Sequence, residues 1–263
     1  MIGLLFLVCW SHILGCTSSP IEQIVIKGST TMAPVLERLA VDYQRPGQQH
    51  IIIEPTGSVA GIRALIRKDC NMAASSVLAP TELLREAEES GVFLNAFPVC
   101  RDRLVPIVNT ANPVHRLSIM DLKNIFSGQT ANWQSSGWTD SEIKIVLRQT
   151  SSGTCRMWEQ MILENAAPSP VHVLVSSNSG VLAAVVENRY AIGYVSNAYL
   201  NHEVKPVQVT VNGSSTHLER TLFLYVDTRR MSGTVKAFLT YLHSGPARQI
   251  IADSGFVPMK QLK

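Results

Sequence analysis

At 263 residues, 46% hydrophobic and 16% charged, the chain can fill one large domain or two lobes, and it is too apolar to be disordered. The net charge of +3 comes without a Lys/Arg run or basic residues interleaved with aromatics, which excludes a nucleic-acid-binding surface. Five cysteines without CxxC spacing and seven histidines that do not cluster argue against a metal site.

From Met1 to Gly15 there is no charged side chain, and Ile2 to Trp10 is an apolar run too short to span a bilayer. It ends Leu14-Gly15-Cys16 before the polar Thr17-Ser18-Ser19-Pro20, and so reads as an export signal. Leu-Gly-Cys resembles the lipobox of bacterial lipoproteins, in which the cysteine is acylated and becomes the new N-terminus. By that resemblance residues 1–15 are a lipoprotein signal peptide and Cys16 is lipidated. Residues 16–23 then form a tether on the periplasmic or extracellular face of a bacterial membrane. The alternative is an ordinary cleaved signal with an incidental cysteine. With Cys9 removed and Cys16 acylated, Cys70, Cys100 and Cys155 remain, enough for one disulfide and a free thiol.

Ile24-Val25-Ile26 predicts a strand that ends at Gly28-Ser29-Thr30-Thr31. Met32, Val35, Leu36, Leu39, Ala40 and Tyr43 then fall at helical spacing, with Ser29, Thr30 or Thr31 as N-cap and Pro34 tolerated in the first turn. The unit recurs. Ile51-Ile52-Ile53 predicts a second strand, Gly57-Ser58 a turn, and Ile62, Leu65 and Ile66 a helix; Asn71 to Ala74 predicts a third strand ending at Ser75-Ser76. Pro80-Thr81-Glu82 opens a charged surface helix that closes near Gly91. Repeated strand–loop–helix units predict an α/β fold with a parallel sheet and ligand-facing loops at the carboxyl ends of its strands.

Leu104 to Val108 predicts a strand in which Pro106 implies an edge or crossing position. Ser118 caps a helix containing Leu122 and Ile125-Phe126, and a turn-rich stretch surrounds Trp133. The strand Ile143 to Leu147 runs into Arg148-Gln149-Thr150-Ser151-Ser152-Gly153-Thr154, after which Met157, Met161 and Ile162 have helical spacing. Further strands are expected at Val171–Val175, Ala191–Val195 and Leu222–Val226, with helices from Ser179-Gly180, around Phe238 and around Ile250-Ile251. Leu104–Val108 and Leu222–Val226 are expected to pass as paired hinge strands between two lobes. Residues 24–103 with 222–263 then form lobe I, and residues 104–221 form lobe II.

Four strand ends carry Gly, Ser and Thr together: Gly28 to Thr31, Gly57-Ser58, Ser75-Ser76 and Ser151 to Thr154. Glycine lets the backbone approach a ligand, hydroxyls donate, and helix N-termini favour an anion. Arg148 adds a fixed planar fork. Three such helix ends and one arginine, shielded from water, reach micromolar affinity, about −8 kcal/mol, for a small oxyanion.

Gly28-Ser29-Thr30-Thr31-Met32-Ala33-Pro34, Gly57-Ser58-Val59-Ala60-Gly61-Ile62, Ile125-Phe126-Ser127-Gly128 with Asn132-Trp133, Arg148 with Ser152-Gly153-Thr154, Ile192-Gly193-Tyr194-Val195 and Gly255-Phe256-Val257-Pro258 come in a telling order. Order and spacing resemble the phosphate-binding proteins of bacterial ABC importers from about Ile24 to Pro258. The resemblance implies a two-lobed type II periplasmic binding protein fold with inorganic phosphate held in the interlobe cleft. It implies a monomer without cofactor or metal that serves the permease subunits of an ABC importer. The implied ligand residues are Ser29, Thr30, Thr31, Ser58, Ser76, Arg148, Ser152, Gly153 and Thr154. Ser76 stands where studied family members have an aspartate, the acceptor for a protonated phosphate oxygen, so discrimination against sulfate is weakened. Asp102 is expected to pair with the arginines beside it at the surface; the alternative is that it enters the cleft.

The rival readings are an enzyme and a lipid-anchored sensor of another tetrahedral oxyanion, sulfate-like or molybdate-like. For an enzyme, no Gly-x-Ser-x-Gly elbow is present and no histidine neighbours the serine loops. The remaining candidate nucleophile is Cys155, whose thiol pKa a helix N-terminus lowers; without an identifiable base it reads as a structural thiol.

Overall fold

The computed structural model describes residues 23–44, 50–164 and 166–259, so the expected signal segment and Cys16 anchor lie outside the described residues. The first half comprises β1 (Gln23–Gly28), α1 (Ala33–Tyr43), β2 (His50–Glu54), α2 (Ser58–Ile66), β3 (Met72–Ser75), α3 (Thr81–Glu89) and the long β4 (Leu94–Asn109). The second comprises β5 (Arg116–Ser118), α4 (Ile119–Phe126), β6 (Lys144–Arg148), α5 (Gly153–Trp158), β7 (Val173–Val175), α6 (Asn178–Glu187) and β8 (Ala191–Ser196). There follow β9 (Val204–Pro206), β10 (Gln208–Val211) and β11 (Ser214–Thr216). The return is β12 (Leu218–Asp227), α7 (Gly233–Tyr241), α8 (Gly245–Asp253) and β13 (Val257–Pro258).

One sheet runs through both halves in the order β2-β1-β3-β12-β4-β8-β6-β7, with β9 and β13 also paired to β4. The expected parallel pairing holds within each half, β1 with β2 and β3, and β6 with β7 and β8. The middle is antiparallel, because the chain leaves on β4 and comes back beside it on β12. Leu104 faces Leu218 and Asn95 faces Val226, so the two strands do pair. Leu104–Val108 already pairs with β8, while Phe223–Tyr225 pairs with β3. The passage between halves therefore falls at Arg101–Arg103 opposite Glu219–Thr221, just short of the expected stretches. Pro106 lies beside Tyr194 of β8, and its carbonyl accepts the Val207 N–H at 2.8 Å, so it sits inside the sheet of the second half and not at an edge. The small sheet β11-β10-β5, absent from the sequence reading, covers the second half. Its strands have three or four residues, too few to show a period.

Alternation along the strands builds a core on each face of the sheet. In the first half Ile24, Ile26, Leu222, Leu224 and Val226 meet α1, α7 and α8 on one face, while Ala73 and Tyr225 meet α2 and α3 on the other. In the second half Ile145, Leu147, Ile192 and Tyr194 pack on α4 and Trp158, and Val146 and Val195 pack on α6. Helix α2 comes close to β1 because Gly61 has no side chain: a Cβ there would lie 2.5 Å from the Gly28 Cα.

Several local expectations are corrected. Met32 is the N-cap of α1, and Ser29 instead accepts the N–H groups of Thr31 and Met32 at 3.2 and 3.3 Å. Helix α5 is only six residues long and passes into a π-turn, Glu159–Leu163, so Met157, Met161 and Ile162 do not lie on one regular helix. Ser118 caps α4 with a full capping box to Asp121, as expected.

Candidate functional site

The loops that end β1, β3 and β6, with the start of α2, meet where the two halves face each other. Gly57 has φ +97°, which turns the chain after β2 so that α2 begins at Ser58. Ser58 Oγ accepts the Ser76 N–H at 3.0 Å, and Ser29 Oγ contacts Ser76 Oγ. Ser76 follows β3 directly and opens no helix, since α3 starts only at Thr81. On the opposite side Ser152 caps α5, its Oγ accepting from the N–H groups of Thr154 and Cys155 at 3.2 and 3.4 Å. Ser29, Thr31, Ser58, Ser76, Arg148, Ser152, Gly153 and Thr154 are all buried, and Thr30 is half-buried.

The two sides are in contact. Thr31 Oγ1 lies 3.1 Å from Thr154 Oγ1, and Val59 N–H donates to the Ser151 carbonyl at 3.1 Å. A Cβ on Gly153 would lie 2.5 Å from Ser58 Oγ and 3.2 Å from Ser76 Cβ, so only glycine lets the jaws meet here. Tyr199 reaches across to donate to the Thr30 carbonyl at 2.9 Å. Beside this contact a cavity of about 310 Å³ opens, with Thr30, Ser152, Ser176 and Tyr199 in its wall.

Arg148 is the charged centre. It is 1% exposed at the end of β6, where the Tyr194 hydroxyl accepts its N–H at 3.4 Å. Tyr194 is itself stacked on Trp158 at 4.2 Å, and Phe126 packs edge-on to both, so two motif aromatics and Trp158 of α5 form the bed beneath the loop. One guanidinium nitrogen, Nη2, donates to Thr30 Oγ1 at 2.9 Å and to the Ser176 carbonyl at 2.8 Å. The other two, Nε and Nη1, are buried with no protein partner. Burial pushes the Arg148 pKa down to about 10, the Arg220 charge adding to that while Tyr194 opposes it. A buried cation with two unpaired donors is a place for an anion.

The sequence reading missed a second ring of polar residues. Arg220 of β12 is buried and holds Asp102 of β4 through Nε and Nη2 at 2.9 and 2.7 Å, while its Nη1 donates to Thr154 Oγ1 at 3.0 Å. Asp102 thus does not pair with its sequence neighbours; Arg101 and Arg103 point the other way, to Glu219. Strand alternation places residue 102 on the face opposite 101 and 103. Ser196 Oγ donates to Asp102 Oδ1 at 2.8 Å, Asn178 Oδ1 accepts the Ser196 N–H at 3.2 Å, and Asn178 Nδ2 donates to Thr31 Oγ1 at 3.1 Å. The period-2 placement of Asp102 and Arg220 on crossing strands was the signal available for them.

Cys155 gives no nucleophile. Burial, aided by the charge of Glu159, pushes its thiol pKa up to about 12, so desolvation outweighs the short helix's N-terminus. Cys70, Cys100 and Cys155 are free thiols. Among the described residues no group of three His, Cys, Asp or Glu is placed to hold a metal, and no helix is long and apolar enough to cross a membrane.

Two lobes joined by crossing strands and closing on a buried, donor-lined cleft make the type II periplasmic binding protein fold. The chain belongs to the PBP superfamily, whose domain model matches residues 17–245. It is 24% identical to the phosphate-binding protein PstS of Borreliella burgdorferi, over 99% of both chains. An ABC-type phosphate transport receptor from Vibrio cholerae is 27% identical and superposes with a TM-score of 0.73, over 90% of this chain and 100% of its own. A substrate-binding protein from Clostridium perfringens with bound phosphate superposes at 0.82 with 24% identity, over 91% and 100%.

Proposed function

We propose that this chain is an extracytoplasmic solute-binding protein, not an enzyme, that captures inorganic phosphate between its lobes and delivers it to the permease of an ABC importer. The observation that carries the reading is the buried Arg148 guanidinium, with Nε and Nη1 unpartnered in a hydroxyl-lined cleft. An anion there supplies the acceptors those nitrogens lack. Ser29, Thr30, Thr31, Ser58, Ser76, Arg148, Ser152, Gly153 and Thr154 form the ligand set, drawn from both jaws. The relatives named as phosphate-binding and phosphate-transport proteins support phosphate as the ligand. Residues 24–103 with 222–263 serve as one lobe and 104–221 as the other, working as a monomer tethered to the membrane through lipidated Cys16.

A second reading, a sensor for another tetrahedral oxyanion, is favoured by one feature: the residue after β3 is Ser76 and carries no carboxylate. Isothermal titration of the mature protein with phosphate, sulfate and arsenate tests both. Heat with phosphate at micromolar concentration supports phosphate capture, whereas silence with phosphate and heat with sulfate selects the second reading. The anchor has its own test: Cys16→Ser is expected to release the protein from membranes, and a variant that stays bound sinks the lipidation.

A further inference from the structure

Arg148 and Arg220 are both buried beside the cleft, and they use their donors differently. Arg148 leaves Nε and Nη1 without a protein partner, whereas every guanidinium nitrogen of Arg220 meets a protein oxygen. Nε and Nη2 hold Asp102 Oδ2, and Nη1 holds Thr154 Oγ1. A guanidinium already supplied with acceptors has less to offer an anion than one that lacks them. Neither side chain of the Arg220–Asp102 pair is exposed. A buried ion pair often stabilises a fold no better than apolar residues of similar volume, so stability alone is a weak reason for this one.

Its placement gives another reason. Asp102 and Arg220 stand directly opposite each other on β4 and β12, where both strands pass between the halves. From there contacts run in two directions. Arg220 reaches Thr154 in the first turn of α5. Asp102 accepts from Ser196 Oγ at the end of β8, and the Ser196 N–H donates to Asn178 Oδ1 at the start of α6. Asn178 Nδ2 then donates to Thr31 Oγ1, and Thr31 closes the circuit on Thr154 at 3.1 Å. Thr154, Asn178 and Ser196 belong to the second half, and Thr31 comes from the first. Thr31 and Thr154 are the two members of the circuit that are also in the ligand set.

We propose that Asp102 and Arg220 are a positioning pair for the bound anion. Anchored on the strands that join the halves, they hold the Thr154 hydroxyl and, through Ser196 and Asn178, the Thr31 hydroxyl in place. Neither touches the anion. The role rests on the oxyanion reading above and adds the groups that set the geometry of the site.

The test is isothermal titration of the mature protein and its variants with phosphate and with sulfate. Arg220→Lys keeps the positive charge, but an ammonium does not span Asp102 and Thr154 as a planar fork does. It is expected to weaken anion binding by about tenfold or more. Thr154→Val removes the hydroxyl through which Arg220 acts. On that background Arg220→Lys is expected to lower affinity little further, because both substitutions remove one interaction. A general loosening of the fold lowers affinity on either background, so the cycle separates positioning from stability. Equal losses on both backgrounds overturn the proposal, as does wild-type affinity in Arg220→Lys. Where Thr154→Val leaves too little binding to measure, Asp102→Leu combined with Arg220→Met decides. Paired removal strands no buried charge, so the ligand-free melting temperature is expected to hold or rise while affinity falls by about tenfold. Unchanged affinity, or a fall in both quantities, overturns the proposal. Silence of the wild-type protein with both anions overturns the oxyanion reading itself.

Discussion

Arg148 concentrates both the affinity and the instability of the ligand-free protein. Its folded-state pKa of about 10 lies below the ordinary 12.5, so at neutral pH the guanidinium is charged both folded and unfolded. The folded form then carries the whole penalty of burying that charge, roughly 3 kcal/mol, relieved only as pH rises from about 10 toward 12.5. Arg148→Met is expected to abolish anion binding while leaving the ligand-free melting temperature unchanged or higher; a clear fall in that temperature shows that the charge stabilises the apo fold. Cys155 is legible on the same grounds. A thiol held near 12 has a negligible thiolate fraction at pH 8, so iodoacetamide should modify it only on unfolding, and fast labelling of the native protein contradicts its burial. The sequence put Arg148, Ser152, Gly153 and Thr154 on one turn because they are contiguous. Asp102 and Arg220, 118 positions apart, meet only because β4 and β12 pair side by side.

The elements that present the site are short, and their packing leaves little slack. Helix α5 has six residues and depends on Ser152 for its cap and on Trp158 and Tyr194 for its footing. Gly153 at its start is the contact point with the opposite jaw. Gly153→Ala is expected to weaken ligand binding by at least tenfold, about 1.4 kcal/mol. Its added methyl strikes Ser58 in the contact between the jaws, so equal affinity in the variant excludes this geometry as the binding state. The regular helices and strands were readable from period 3.6 and period 2. The three- and four-residue strands of the small sheet and the π-turn were not, because neither is long enough to print a repeat.

At the scale of the whole molecule, the halves are joined by several polar contacts, among them Thr31 with Thr154, Tyr199 with Thr30, Arg148 with Thr30, Asn178 with Thr31, and the pair Arg156–Glu82. An exposed ion pair contributes at most about 1 kcal/mol, and an anion accepting from Arg148 between the jaws is expected to add to these contacts. Phosphate at a hundred times its Kd is expected to stabilise the protein by about 2.7 kcal/mol, which raises the melting temperature by roughly 5–10 °C. A scan that shows no shift at that concentration counts against interlobe binding.

The sequence alone determined the repeated strand–loop–helix units, the Gly/Ser/Thr strand ends and the fixed charge of Arg148, since each is written in neighbouring residues and depends on local geometry. Tertiary structure alone decided that the middle of the sheet runs antiparallel and that Asp102 is buried against Arg220. Those depend on which distant groups meet, and no local pattern of residues records that.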